Sequence, residues 1–114
     1  HSTAHACGSN IIPASTTLVV VPSGSNFALV TFSLWYNSCN QQNFTSANIT
    51  QNPVPNLIVS VVRNPGPDGG LAIMQNTSCR STGICTSPGI YSPDNTSVAS
   101  IITRDGYTIS SSSF

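Results

Sequence analysis

The 114-residue chain has the length of a single domain and is long enough to bury a hydrophobic core of its own. Only 5% of its residues are charged, three arginines and three aspartates, whereas about 25% are charged in an ordinary soluble domain. With no lysine, no glutamate and zero net charge, the chain offers no basic patch to nucleic acid or anionic lipid, so we expect neither as a partner.

Residues 1–16 form an N-terminal arm that precedes the first clear strand signal. The arm begins at His1 without a leader-like segment, which favours a mature secreted protein, although a chain trimmed at its start would look the same. Its apolar pair, Ile11 and Ile12, is suited to plug the sheet of another copy as a donor or edge strand. Cys7 favours the alternative, in which a disulfide fixes the arm to its own domain.

Over residues 17–114, β-branched and aromatic runs alternate with turn-forming clusters, which predicts strands and no helix. The predicted strands are Thr17–Val21, Phe27–Tyr36, Leu57–Val62, Leu71–Met74, a weak strand at Ile90–Tyr91, Ser97–Thr103 and Tyr107–Ser113. The polar stretch Asn40–Pro55 is predicted to be either a long loop or a short edge strand around Phe44–Thr50. The last two strands flank Asp105-Gly106, and Asp-Gly is a strong signal for a tight turn.

The six to eight short strands of this pattern predict an all-β domain, a single antiparallel β-sandwich of the immunoglobulin-like or pilin-like kind. The chain resembles those proteins in strand pattern alone, because it lacks the Cys-Trp-Cys spacing of antibody domains. The resemblance therefore implies a shape and no particular function.

Four cysteines are present, an even number that is typical of two disulfides formed in an oxidising compartment. They are Cys7, Cys39, Cys79 and Cys85. Among the three pairings that four cysteines allow, we favour Cys79–Cys85, which closes a short loop, and Cys7–Cys39, which pins the arm. Zinc sites use closer pairs than the five-residue gap between Cys79 and Cys85, so we expect disulfides and no metal.

The strand predicted over Phe27–Tyr36 carries large apolar side chains on both of its faces. One face consists of Ala28, Val30, Phe32, Leu34 and Tyr36, and the other alternates Phe27, Leu29 and Trp35 with Thr31 and Ser33. A half-exposed strand is normally polar on one face. The second face is therefore either covered by the N-terminal arm or a contact surface in which Phe27, Leu29 and Trp35 meet another subunit or a glycan.

Side chains suited to acid–base chemistry are scarce. Asp68, Asp94 and Asp105 each occur in a turn sequence, where aspartate bonds the local backbone. The histidines are His1 and His5 alone, so we expect no enzyme and no cofactor. His1 resembles the copper-binding N-terminal histidine of lytic polysaccharide monooxygenases, which are also β-sandwiches. Their copper site needs a second histidine from elsewhere in the fold, whereas His5 belongs to the same arm, so we expect no copper.

Four sequons for N-glycosylation occur in the chain, at Asn43, Asn48, Asn76 and Asn95. In a chain so rich in asparagine, serine and threonine, chance alone gives about three. Their placement is more informative, because all four fall in or beside predicted loops, where a glycan is tolerated. We expect at least one of them to carry a glycan in a host that has the glycosylation machinery.

These features favour a structural subunit of a secreted, glycosylated extracellular filament or surface coat, whose copies associate through β-strand exchange or edge pairing. We expect no membrane insertion, because no apolar run nears the roughly 18 residues of a membrane helix. One alternative is a secreted carbohydrate-binding or adhesive module, in which Trp35 acts with Tyr36, Tyr91 or Tyr107 as an aromatic platform. A second alternative is a small secreted effector or inhibitor.

Overall fold

A computed structural model of the chain describes residues 11–24, 26–65, 72–92, 96–103 and 106–111, and for 11–15 it describes the backbone only. These residues form nine strands and no helix. The strands are β1 Ile11–Ser23, β2 Asn26–Asn37, β3 Gln42–Thr50, β4 Leu57–Arg63, β5 Ile73–Cys79, β6 Gly83–Thr86, β7 Ile90–Tyr91, β8 Ser97–Ile102 and β9 Thr108–Ser110. The all-β prediction is confirmed. Within these residues there is no helix of the length and apolar character that a membrane crossing requires.

The nine strands make two antiparallel sheets that share one core. The five-stranded sheet has the order β1-β2-β3-β6, with the short β7 paired to β3 beside β6, and the four-stranded sheet has the order β5-β4-β8-β9. Across the core, β2 packs against β8, β3 against β4, and β5 against β6. The edge strands β1 and β9 therefore lie on one side of this sandwich-like arrangement, and β5 and β6 lie on the other.

Strand β2 shows why the two sheets associate. Its alternate residues Ala28, Val30, Phe32, Leu34 and Tyr36 are all buried, as the alternation in the sequence predicts. The first four of them share one core cluster with buried aliphatic side chains from the other sheet, such as Val59 of β4 and Ile101 of β8. Burying one such large side chain stabilises the fold by about 1.5–3 kcal/mol relative to leaving it exposed.

Strand β3 corrects the prediction of a loop or a short edge strand around Phe44–Thr50. It runs for nine residues and lies inside its sheet, paired with β2 on one side and with β6 and β7 on the other. Two of its polar residues, Asn43 and Thr45, are buried and form hydrogen bonds. The Thr45 hydroxyl donates to the carbonyl of Ser60 in the other sheet at 2.6 Å. The Asn43 amide donates to the carbonyl of Trp35 at 2.9 Å.

The cysteine region also differs from the predicted elements. Strand β5 continues to Cys79, well past the predicted end at Met74, and β6 follows it without having been predicted. The predicted Cys79–Cys85 disulfide is confirmed, with 6.1 Å between the two Cα atoms. Because Cys79 ends β5 and Cys85 lies in β6, this bond joins the two sheets. Cys39 has no free thiol, but its expected partner lies outside the described residues, so the Cys7–Cys39 pairing stays a prediction.

Two hairpin turns depend on glycines with left-handed backbone. Gly24, at φ 63°, follows the end of β1 and allows the chain to return at Asn26 as β2. Gly106, at φ 84°, donates from its amide to the Thr103 carbonyl at 2.9 Å, and the Thr103 amide bonds the Tyr107 carbonyl at 2.8 Å. These bonds close the predicted final hairpin, whose second strand, β9, is shorter than expected.

Candidate association surface

The outer face of the five-stranded sheet carries an exposed apolar patch at the side of β1. Leu18 and Val20 of β1 are 64% and 61% exposed, and Phe27 of β2 is 59% exposed. Strand register brings them together, because Val20 lies opposite the half-buried Leu29 and Pro22 lies opposite Phe27. We call Leu18, Val20, Pro22, Phe27 and Leu29 the apolar patch. Exposed apolar clusters on small proteins commonly mark contact surfaces.

A row of hydroxyl groups borders the apolar patch and crosses four strands of the same face. Thr16, Ser33, Ser46 and Thr86 lie opposite one another on β1, β2, β3 and β6. The hydroxyls of Thr16 and Ser33 are 2.9 Å apart, and that of Thr86 donates to that of Ser46 at 3.3 Å. This part of the face is polar without being charged.

Trp35 lies beyond the hydroxyl row and stacks on Phe44 of β3. The two ring centroids are 6.2 Å apart and the ring planes differ by 7°, and both side chains are half-buried. Trp35 lies six positions after Leu29 in β2, which is about 20 Å along a strand. The structure therefore brings Phe27 and Leu29 into one patch and places Trp35 in a separate aromatic pair.

Strand β1 is the long edge of the five-stranded sheet. It runs for 13 residues and, among the described residues, pairs only with β2. Its other edge therefore presents backbone N–H and C=O groups that can accept another strand. The edge is interrupted by Pro13 and Pro22, which have no N–H group, and by a bulge where the register shifts between Pro13 and Ser15.

The predicted donor residues belong to this strand. The backbone of Ile11 lies opposite Asn37, and that of Ile12 lies opposite Tyr36, within the sheet of the same chain. The latter part of the N-terminal arm thus continues β1 as an edge strand. The side chains of both isoleucines lie outside what the structure describes, so their role as plugs stays a prediction.

A cavity of about 450 Å³ opens beside β1, at the seam between the two sheets. Val20, Val21 and Pro22 line it from β1, and Tyr107 and Ile109 line it from the final hairpin. Ile109 packs against the core from only a partly buried position. The core is thus less completely closed on the side of β1 and β9.

Three of the four sequons occupy different environments from those predicted. Asn43, Asn48 and Asn76 lie within β3 and β5 instead of loops, while Asn95 falls outside the described residues. Asn43 is fully buried and its amide nitrogen is already bonded, so the folded strand leaves no room for a glycan there. Asn48 and Asn76 are exposed and remain the sites where the fold can accommodate one.

The groups needed to judge catalysis and metal binding are mostly not described. Both histidines and all three aspartates lie outside the described residues, so the expected absence of an active site and of copper stays a prediction. Among the residues that are described, no cluster of three potential metal ligands occurs. The guanidinium of Arg63 donates to the carbonyl of Tyr91 at 2.9 Å, which gives this side chain a structural contact between β4 and β7.

Comparison of the chain with models of known protein families, with curated proteins and with solved structures gave no match in any of the three.

Proposed function

We propose that this protein is a structural subunit of a secreted, glycosylated extracellular filament or surface coat, and that its fold is a sandwich of the immunoglobulin-like or pilin-like kind. Its copies associate through edge pairing or exchange of β1. The observation that carries the proposal is the edge of this 13-residue strand with which no other described strand pairs, beside the exposed Leu18, Val20 and Phe27.

Edge pairing suits this surface because backbone hydrogen bonds and burial of apolar side chains both favour it, while little charge repulsion opposes it. Each added backbone hydrogen bond contributes about 1 kcal/mol net, and covering the apolar patch adds the hydrophobic term. Charged residues make up 5% of the chain, so almost no repulsion keeps copies apart. Association of this kind is expected to change little with salt concentration.

Secretion and glycosylation are supported by the covalent chemistry of the chain. The Cys79–Cys85 disulfide is typical of an oxidising compartment. Asn48 and Asn76 expose their side chains on the outer faces of β3 and β5, where a glycan can be attached without disturbing the core. A glycan would also supply a hydrated surface, which a protein with so few charged side chains otherwise lacks.

The first test introduces charge into the apolar patch. Native material is expected to form polymers visible by electron microscopy, and the double substitution Leu18→Lys and Val20→Lys is expected to shift it to monomers in sedimentation velocity. Two ammonium groups on the edge would have to lose water or face like charges from another copy.

Thr86→Lys is the matched control, because Thr86 is exposed on the same face but belongs to β6 at the opposite edge. It is expected to leave assembly unchanged. Unsubstituted protein that stays monomeric at every concentration would contradict the proposal.

A second candidate function, a carbohydrate-binding or adhesive module, is favoured by the stacked pair of Trp35 and Phe44 beside a row of uncharged hydroxyls. Flat aromatic rings beside hydrogen-bonding groups can hold the apolar face of a neutral sugar. Tyr36 cannot contribute, because it is only 3% exposed. Tyr91 and Tyr107 are exposed but lie outside this pair.

For this candidate, Trp35→Ala is expected to lower affinity for a neutral glycan at least tenfold on an array of such glycans, since one aromatic platform is lost. Phe27→Ala is the control, because Phe27 is exposed on the same strand but belongs to the apolar patch. Equal glycan binding by the Trp35→Ala protein and the unsubstituted protein would remove the aromatic pair as a binding site.

A further inference from the structure

We propose that β1 pairs with the β1 of a second copy, antiparallel about a two-fold axis at Leu18. This inference rests on the function proposed above and names the partner and the register of its contact. It joins the two five-stranded sheets into one continuous sheet.

The register follows from the interruptions of the edge. The bulge lies between Pro13 and Ser15, and Pro22 removes a donor at the other end. The regular segment between them is Ser15–Val21, which has seven residues and Leu18 at its centre. Symmetric pairing about Leu18 uses the whole segment, and a slip by one residue would turn the outer side chains of one copy toward the inner face.

The side chains of this segment are compatible with those that they face in the second copy. On the outer face Leu18 meets Leu18 of the second copy, and Thr16 meets Val20. On the inner face Thr17 meets Val19. The segment contains no charged residue, so no like charges oppose each other. The two apolar patches become neighbours, and the exposed Leu18 and Val20 of both copies cover one another.

The other described edges fit a symmetric contact less well. On the far side of the five-stranded sheet, the edge is divided between β6 and β7, of four and two residues. In the four-stranded sheet, β9 has three residues, and β5 carries the exposed sequon residue Asn76 at its middle. A two-fold contact is also the commonest way in which copies of one chain associate.

A single two-fold contact closes a dimer, so the dimer is the building block and growth of a filament requires a second contact. Strand β5 lies on the side of the molecule opposite β1 and, among the described residues, pairs only with β4. It can supply that second contact only while Asn76 carries no glycan, because a glycan at its middle would block an incoming strand.

Cysteine cross-linking in the full chain tests the register. Leu18→Cys is expected to give a disulfide-linked dimer under mild oxidation, because directly opposed residues have Cα atoms about 4.5–5.5 Å apart, within the range of about 4.4–6.8 Å for a disulfide. Thr16→Cys and Val20→Cys are the controls. In this register each is displaced by about 13 Å along the strand from its own copy and should link poorly alone, whereas a mixture of the two should give the mixed dimer.

Peptide mapping by mass spectrometry would verify that the new bond joins the intended cysteines and that Cys79–Cys85 is intact. Polymers that form without a Leu18→Cys link would overturn this inference and leave the proposed function standing. Efficient linking by Thr16→Cys or Val20→Cys alone would show a different register and overturn it as well. A Leu18→Cys link in material that never grows beyond a dimer would support the inference and contradict the filament. Protein that neither links nor assembles would contradict both.

Discussion

Replacing Phe32 with alanine is expected to lower the free energy of unfolding by about 3–5 kcal/mol. Phe32 is fully buried near the middle of β2 and belongs to the core shared by the two sheets. Its neighbours in the same sheet are Thr17 and Ala47, which are too small to fill the space that the ring would leave. Urea unfolding monitored by circular dichroism measures the loss.

Phe27→Ala is the matched control, because it removes the same ring from the opposite face of the same strand. Phe27 is 59% exposed, so its replacement is expected to change the free energy of unfolding by no more than about 0.5 kcal/mol. A domain of this size has a free energy of unfolding of only about 5–15 kcal/mol, so the Phe32→Ala protein can fail to fold. In that case Phe32→Leu, with an expected cost of about 1 kcal/mol, supplies a folded variant for the comparison. Equal losses for Phe27→Ala and Phe32→Ala would contradict the assignment of the two faces.

The elements that could be predicted from the sequence are those whose structure is specified by a pattern of neighbouring residues, such as alternating apolar residues or a turn sequence. In β2, alternation of large apolar residues predicts both the strand and the side chains that enter the core, and Val30, Phe32 and Leu34 are all fully buried. The final hairpin was predictable because Asp105-Gly106 is a strong turn signal between two predicted strands. Both signals lie within about a dozen residues of chain.

Strand β3 could not be predicted in the same way, because two of its four buried residues, Asn43 and Thr45, are polar. Asn43 and Thr45 resemble loop residues in the sequence, yet they bond the carbonyls of Trp35 and Ser60. Those partners are brought near by β2 and by the opposite sheet, which a local pattern does not contain. A buried polar side chain is tolerated only when such a partner exists, so its burial is decided by the tertiary fold.

The candidate association surface was predicted only in part for a related reason. The two-faced pattern of β2 singled out Phe27, Leu29 and Trp35, but it could not supply their neighbours on other strands. Register places Val20 against Leu29 and Phe44 against Trp35, which divides the predicted surface into two sites. In β1, as in β2, apolar residues occupy both faces of the strand, with Leu18 and Val20 on one face and Val19 and Val21 on the other. This pattern was the available signal for the missing half of the apolar patch.

The double substitution Cys79→Ala and Cys85→Ala is expected to lower the free energy of unfolding by about 2 kcal/mol. The bond closes a short loop, with a sequence separation of 6, so most of the cost arises because the unfolded chain without it has more conformations. The denaturant dependence of the free energy should rise slightly, since that chain exposes more surface. Both cysteines are replaced together so that no free thiol can attack the bond at Cys39.

Arg80→Ala controls for changes in the loop itself, because Arg80 is exposed between the two cysteines and its loss should cost no more than about 0.5 kcal/mol. A double variant as stable as the unsubstituted protein would mean that the packing of the two sheets holds β5 to β6 without the covalent bond. The disulfide lies on the side of the molecule opposite β1. The edge that would receive a second copy is that of β1, which is held by its pairing with β2. Below its melting temperature the double variant should therefore still associate.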